Sequence, residues 1–147
     1  MDRTFRIWQR VLLAGFLVQA GVGYFVAFAY ASPPLRWHAE GVGRALWGRP
    51  EYGAEVAAYR DFIMGVLGAT MAGSALVTAW VVAIPFARRE RWAWACVATA
   101  LVAWAPFDTG LSLYHGVTIN AVFNLMPIVM IAAPLIATRR AFFGREV

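Results

Sequence analysis

An all-α integral membrane protein, folded as one bundle of four transmembrane helices, is the fold class this chain predicts. Three observations carry that reading. Residues 11–35, 62–87 and 92–107 contain no charged residue, and 109–138 contains none apart from His115. A bilayer core about 30 Å thick takes roughly 20 apolar helical residues to cross, so each stretch is of the order of one crossing. Hydrophobic residues make up 61% of the chain and charged residues 14%, against about half and about a quarter in soluble domains. The arginines, finally, gather at the ends of the apolar stretches, where orientation signals and partners for anionic lipid headgroups belong. A net charge of +5 placed in this way excludes a nucleic-acid face. All of residues 1–147 form a single transmembrane domain, without repeats or linkers.

The first span is 11–31. Arg3, Arg6 and Arg10 precede it and Ala29-Tyr30-Ala31 follows, an arrangement resembling a cleavable signal. Its apolar run exceeds the roughly 7–15 residues of a signal core, so it reads as a retained helix. The outer connection is 32–61. Pro33-Pro34 stops helix one, Gly41, Gly43 and Gly48 break the middle, and 37–47 makes a short amphipathic segment in the outer interface. Pro50 and Glu51 mark a helix start, and Tyr52, Val56, Tyr59 and Ile63 recur at helical spacing. The second helix therefore begins outside the membrane before its span, 62–86. The turn at 87–91 is so short that the helices on either side are antiparallel neighbours. The remaining spans are 92–113 and 119–138.

Arginine asymmetry orients the bundle. One side collects Arg3, Arg6, Arg10, Arg88, Arg89, Arg91, Arg139, Arg140 and Arg145. The other collects Arg36, Arg44, Arg49 and Arg60, balanced by Glu40, Glu51, Glu55 and Asp61. Both termini are then cytoplasmic, in a multi-pass protein of the cell inner membrane. Trp8, Trp80, Trp92 and Trp94 fall at the inner boundary, and Trp37, Trp47 and Trp104 toward the outer one.

Polar groups within the bilayer are costly and mark candidate sites. Asp108 lies sixteen residues beyond Trp92, about 24 Å along its helix and so about one turn below the outer boundary. Trp104, Asp108 and His115 share a helix face. Asn120 and Asn124 stand one turn apart on the next helix, and Pro127 leaves a carbonyl one turn back without its donor. With Arg60 at the outer mouth, these groups outline a candidate ligand pocket of Arg60, Asp108, His115, Asn120 and Asn124. Gln19 sits near mid-membrane, and Thr70, Ser74 and Thr78 form a hydroxyl stripe. Each residue also has a structural role open to it. Asp108 fits as a helix cap or as the partner of Arg60, the asparagines as bonds across helices, and His115 as a loop residue. Gly65, Ala69 and Gly73, four apart as are Gly68 and Ala72, form a face for bundle packing or for a partner.

No catalytic, metal or cofactor site is expected. Cys96 is the lone cysteine, Ser74 has no nearby base, and Asp108 and His115 lie about two helical turns, near 10 Å, apart. A haem held by His38 and His115 is disfavoured, because neither lies on a facing helix pair. The leading expectation is a binding or accessory subunit of a larger membrane assembly, with a membrane-protein partner or a homo-oligomer. The alternative is a lipid-binding, lipophile-handling carrier or intramembrane enzyme using the outer pocket around Asp108. An ion-coupled transporter has no inverted repeat of broken helices to support it.

Overall fold

The computed structural model describes residues 3–50 and 53–144. Glu51 and Tyr52 of the expected helix start, and Arg145 of the basic tail, lie outside the described residues. Five α-helices follow in order: α1 (Arg3–Ala29), α2 (Pro33–Trp47), α3 (Ala54–Val81), α4 (Arg91–Tyr114) and α5 (Thr118–Phe143). A π-helical turn, Val82–Phe86, prolongs α3. Four of these helices are long and apolar enough to cross a membrane, α3 counting with its π-turn, which makes this a multi-pass membrane protein. Its surface agrees with lipid as solvent. Phe28, Phe107 and Ile136 are at least 70% exposed, while Ala72, Ala75, Ala79 and Ala93 are buried. Large apolar side chains on the surface and small ones at these helix contacts depart from the soluble pattern.

Each helix is longer than the span the sequence assigns to it. The 27 residues of α1 reach about 40 Å, so the helix carries Arg3, Arg6 and Arg10 past the hydrocarbon edge. The α5 helix likewise runs on through Arg139 and Arg140. The outer connection is more ordered than its glycines imply. Pro33 and Pro34 occupy the first positions of α2, which continues through Gly41 and Gly43 instead of breaking there. Leu35, His38, Ala39 and Gly43 recur at helical spacing and are buried, so tertiary docking outweighs the poor helix propensity of glycine. The helix stops only at Gly48, whose φ of 67° is left-handed and whose N–H bonds to the Arg44 carbonyl at 3.1 Å. Pro50 precedes the first turn of α3, because that helix begins at Ala54 with Gly53 as its cap.

Packing runs in the order α3, α1, α5, α4. The α1–α3 pair is the tightest because small residues meet there. A Cβ on Gly23 would stand 2.7 Å from the Ala72 nitrogen, and one on Gly68 would stand 2.5 Å from the Ala27 nitrogen. Between helices in lipid, such close backbone approach supplies the attraction. The α4 helix packs instead on α5 and on the π-turn. Thus α3 and α4, neighbours through the 87–90 turn, meet at that end and part along their length.

The end carrying both termini is closed by aromatic rings. Phe86 lies 4.7 Å from Phe142 and 6.1 Å from Phe5 between ring centres, and the Arg89 guanidinium sits 4.7 Å over Phe5. Pro85 has no N–H to give, and the α-helix relaxes there into the π-turn. Gln9 Nε2 donates to the Val82 carbonyl at 3.2 Å, and Trp94 Nε1 to the Leu135 carbonyl at 3.0 Å.

Of the two small-residue rows on α3, Gly68 and Ala72 make the crossing, while Ala69 and Gly73 are exposed and a Cβ on Gly65 would stand 3.6 Å from the Ala27 carbonyl oxygen. Gly68→Val is therefore expected to cost about 1–3 kcal/mol or more by overpacking. Gly73→Ala, with nothing within 4 Å of the added carbon, is expected to gain up to ~1 kcal/mol in helix propensity. Thermal unfolding in detergent, followed by circular dichroism, measures both; equal responses would disprove the crossing.

Candidate functional site

Asp108 lies inside α4, two turns before its end at Tyr114, and so does not cap a helix. Pro106 and Pro127 stand within α4 and α5, each removing one backbone donor next to the polar residues. The short 115–117 turn makes α4 and α5 antiparallel neighbours, which brings Asn120 and Asn124 opposite Asp108. Asn120 Nδ2 donates to Asp108 Oδ1 at 2.9 Å and Asn124 Nδ2 to the same oxygen at 2.8 Å. Trp104 Nε1, one turn back on α4, donates to Asp108 Oδ2 at 3.1 Å. Three neutral N–H donors from two helices therefore converge on one carboxyl group.

The network continues into α2 and α1. Asn120 Nδ2 also donates to Ser112 Oγ at 2.7 Å, so its Oδ1 is the acceptor toward His38 Nε2 at 3.4 Å. His38 must then carry its proton on Nε2, which leaves Nδ1 to accept from the Tyr30 hydroxyl at 3.0 Å. The chain of donors runs Tyr30, His38, Asn120, Asp108. Starting from Tyr30, the residue after α1, it ties that turn to α2, α4 and α5 at the end opposite the termini. Burial pushes the His38 imidazole below its ordinary value, and the bond to Asn120 opposes that shift.

A cleft of about 450 Å³ opens where α3 and α4 part, and Asp108, Asn120, Asn124, His38 and Tyr30 line its polar end. Apolar side chains form the rest of its wall, among them Val22 and Val26 of α1, Met64 and Met71 of α3, Leu101 of α4, and Met130 of α5. Thr70, Ser74 and Thr78 border it too, but their hydroxyls bond back to the Val66, Met71 and Ser74 carbonyls of their own helix. Gln19 lines the wall farther from the polar end.

The structure thus gathers Asp108, Asn120 and Asn124 of the five expected pocket residues. Arg60 is ion-paired with its neighbour Asp61 at 2.5 Å and stacked 5.4 Å over the Tyr30 ring, and it is not a partner of Asp108. His115 is exposed at the end of α4, packed edge-on against Tyr114. Tyr30 and His38 join the site without having been assigned to it. The stripe of Leu35, His38, Ala39 and Gly43 was the available signal, since this spacing turns His38 to the buried side.

Among the described residues no three His, Cys, Asp or Glu side chains converge. No protein-family model, curated protein or solved structure matches this chain.

Asp108→Asn places an N–H against donors already in place and is expected to cost about 1–3 kcal/mol. Arg60→Gln removes the partly exposed pair with Asp61 and the stacking on Tyr30, together about 1–2 kcal/mol. The two losses should add in the double variant, as independent sites do; coupling between them would show that Arg60 does neutralise Asp108. For His38, an unfolded chain takes up a proton near pH 6.5 and the folded protein only below it. The stability His38 contributes is therefore complete above about pH 6.5 and declines as pH falls below that value. Melting midpoints from pH 7.5 to 5 should drop for the wild type and stay flatter for His38→Gln. An unchanged slope in the variant would remove His38 as the cause.

Proposed function

We propose that this is an inner-membrane protein, with both termini cytoplasmic and α2 outside, that binds an amphiphile from the outer leaflet. The lipophilic tail occupies the cleft between α3 and α4, and the polar head rests on the Asp108 network beneath α2. The observation that carries this reading is the coincidence of the two features. The place where α3 and α4 part ends in the convergent polar side chains around Asp108. A volume of about 450 Å³ falls within the ~300–1,000 Å³ of small-ligand sites, and an apolar wall with a few convergent polar groups is their usual composition. A carrier or presenting role fits better than catalysis. Asp108 and His38 are joined only through Asn120, so no acid and base face one reacting atom.

An accessory subunit is the second reading, favoured by the exposure of Ala69 and Gly73 on α3. A partner helix seated there would gain the same close approach that α1 gains at Gly68.

Native mass spectrometry on protein extracted gently from its own membrane separates the two. A retained lipophile, lost in Ala100→Trp as the indole fills the cleft, is the expected result. A stoichiometric protein partner and an empty cleft would replace this reading with the second.

A further inference from the structure

Resting on that reading, we infer that the cleft selects amphiphiles whose head donates hydrogen bonds, an alcohol or an amine, over those with a carboxylate or phosphate head. The argument is a count of valences at the polar end. Asn120 gives its two amide hydrogens to Asp108 and Ser112, and Asn124 gives its two to Asp108 and to Thr109 Oγ1 at 3.3 Å. The Trp104 N–H goes to Asp108 and the Ser112 hydroxyl to the Asp108 backbone carbonyl at 2.7 Å. His38 and Tyr30 spend their hydrogens within the chain described above. Every side-chain donor of this cluster that lines the cleft is committed, and Thr109, whose hydroxyl only accepts here, does not line it.

What remains open is acceptor capacity. Asn124 is 4% exposed and lines the cleft, and no donor reaches its Oδ1, since its bonds all leave from Nδ2. Asp108 Oδ2 receives only the Trp104 N–H, leaving a second lone pair. A hydroxyl or ammonium head satisfies both oxygens. A carboxylate or phosphate head would bring acceptors to acceptors and leave all of them unpaired in a water-poor site. Gln19, the other amide on the wall, sits ten residues before the end of α1, and Asp108 six before the end of α4. At 1.5 Å per residue it lies about 6 Å deeper than Asp108, below a head seated at the carboxyl group. The tail contributes little to this choice, because lipid already solvates it.

The test uses the full chain in nanodiscs of zwitterionic phosphatidylcholine, with four twelve-carbon probes and one control. Dodecanol and dodecylamine should bind about tenfold or more tighter than dodecanoate and dodecyl phosphate, one unpaired polar group being worth roughly that factor. Dodecyltrimethylammonium carries the charge without an N–H and should bind more weakly than dodecylamine. In Asp108→Asn the preference for donors should fall by about half on the logarithmic scale, because Asn124 Oδ1 remains as the second acceptor. Should that variant fail to fold, the wild-type ranking decides alone. Anionic probes binding as tightly as the alcohol, or the trimethylammonium as tightly as the amine, would overturn the donor rule while leaving the cleft as a lipophile site. If no probe binds, the lipophile reading itself fails, and the donor rule with it.

Discussion

The approach of α1 to α3 at Gly23 and Gly68 admits no side chain at all, since a Cβ on either would run into the backbone of the other helix. In a bilayer this contact is worth more than a greasy interface, because lipid solvates Leu and Met as well as protein does. Once α3 is committed to α1, it is drawn from α4, to which the 87–90 turn joins it. The π-turn at Pro85 packs on α4, so the two helices meet at one end only, where the Phe5–Phe86–Phe142 rings also tie that turn to α1 and α5. The cleft is the geometric remainder of those two commitments, tight packing on one side and a pinned turn at one end.

The polar cluster solves the complementary problem. A carboxyl group and two amides within apolar spans would be costly if unpaired. The α4–α5 hairpin pairs them with one another, with no ion pair needed. Pro106 and Pro127 loosen the backbone ladder where these side chains cross between helices. The α2 helix then closes that end, with His38 as its polar plug and Leu35 and Ala39 as its apolar footing beside Val26 and Tyr30. Because the Asn120, Asn124 and Trp104 donors are spent within the network, Asn124 Oδ1 and the second lone pair of Asp108 Oδ2 are what its polar end presents to the cleft. In the reading proposed above, the same pairing that stabilises the helices sets the chemistry of the head that docks.

Much of this was legible in the residues alone, and the limits are physical. Lengths of uncharged stretch announced four spans, since hydrocarbon thickness is a fixed ruler. Their ends were blurred because arginine reaches outward from a helix that continues beneath it. Asp108, Asn120 and Asn124 stood out together because helix period and a short turn place them on facing sides. Arg60 and His115 satisfied the same rule of thumb, outer side and polar, yet lie elsewhere. A partner one residue away at Asp61 and a position past the last turn of α4 decided their fates locally. Gly41 and Gly43 argued for a broken loop, and only the docking surface offered by α1 and α5 makes α2 a helix.

The sequence by itself determined the solvent, the number of crossings and the polar triad of Asp108, Asn120 and Asn124, because these follow from transfer energies and periodicity along one chain. The tertiary structure alone decided which small-residue row on α3 meets α1, where the bundle parts, and that Tyr30 and His38 complete the polar network. Those outcomes depend on competition between helices for the closest approach, and no single helix carries that information.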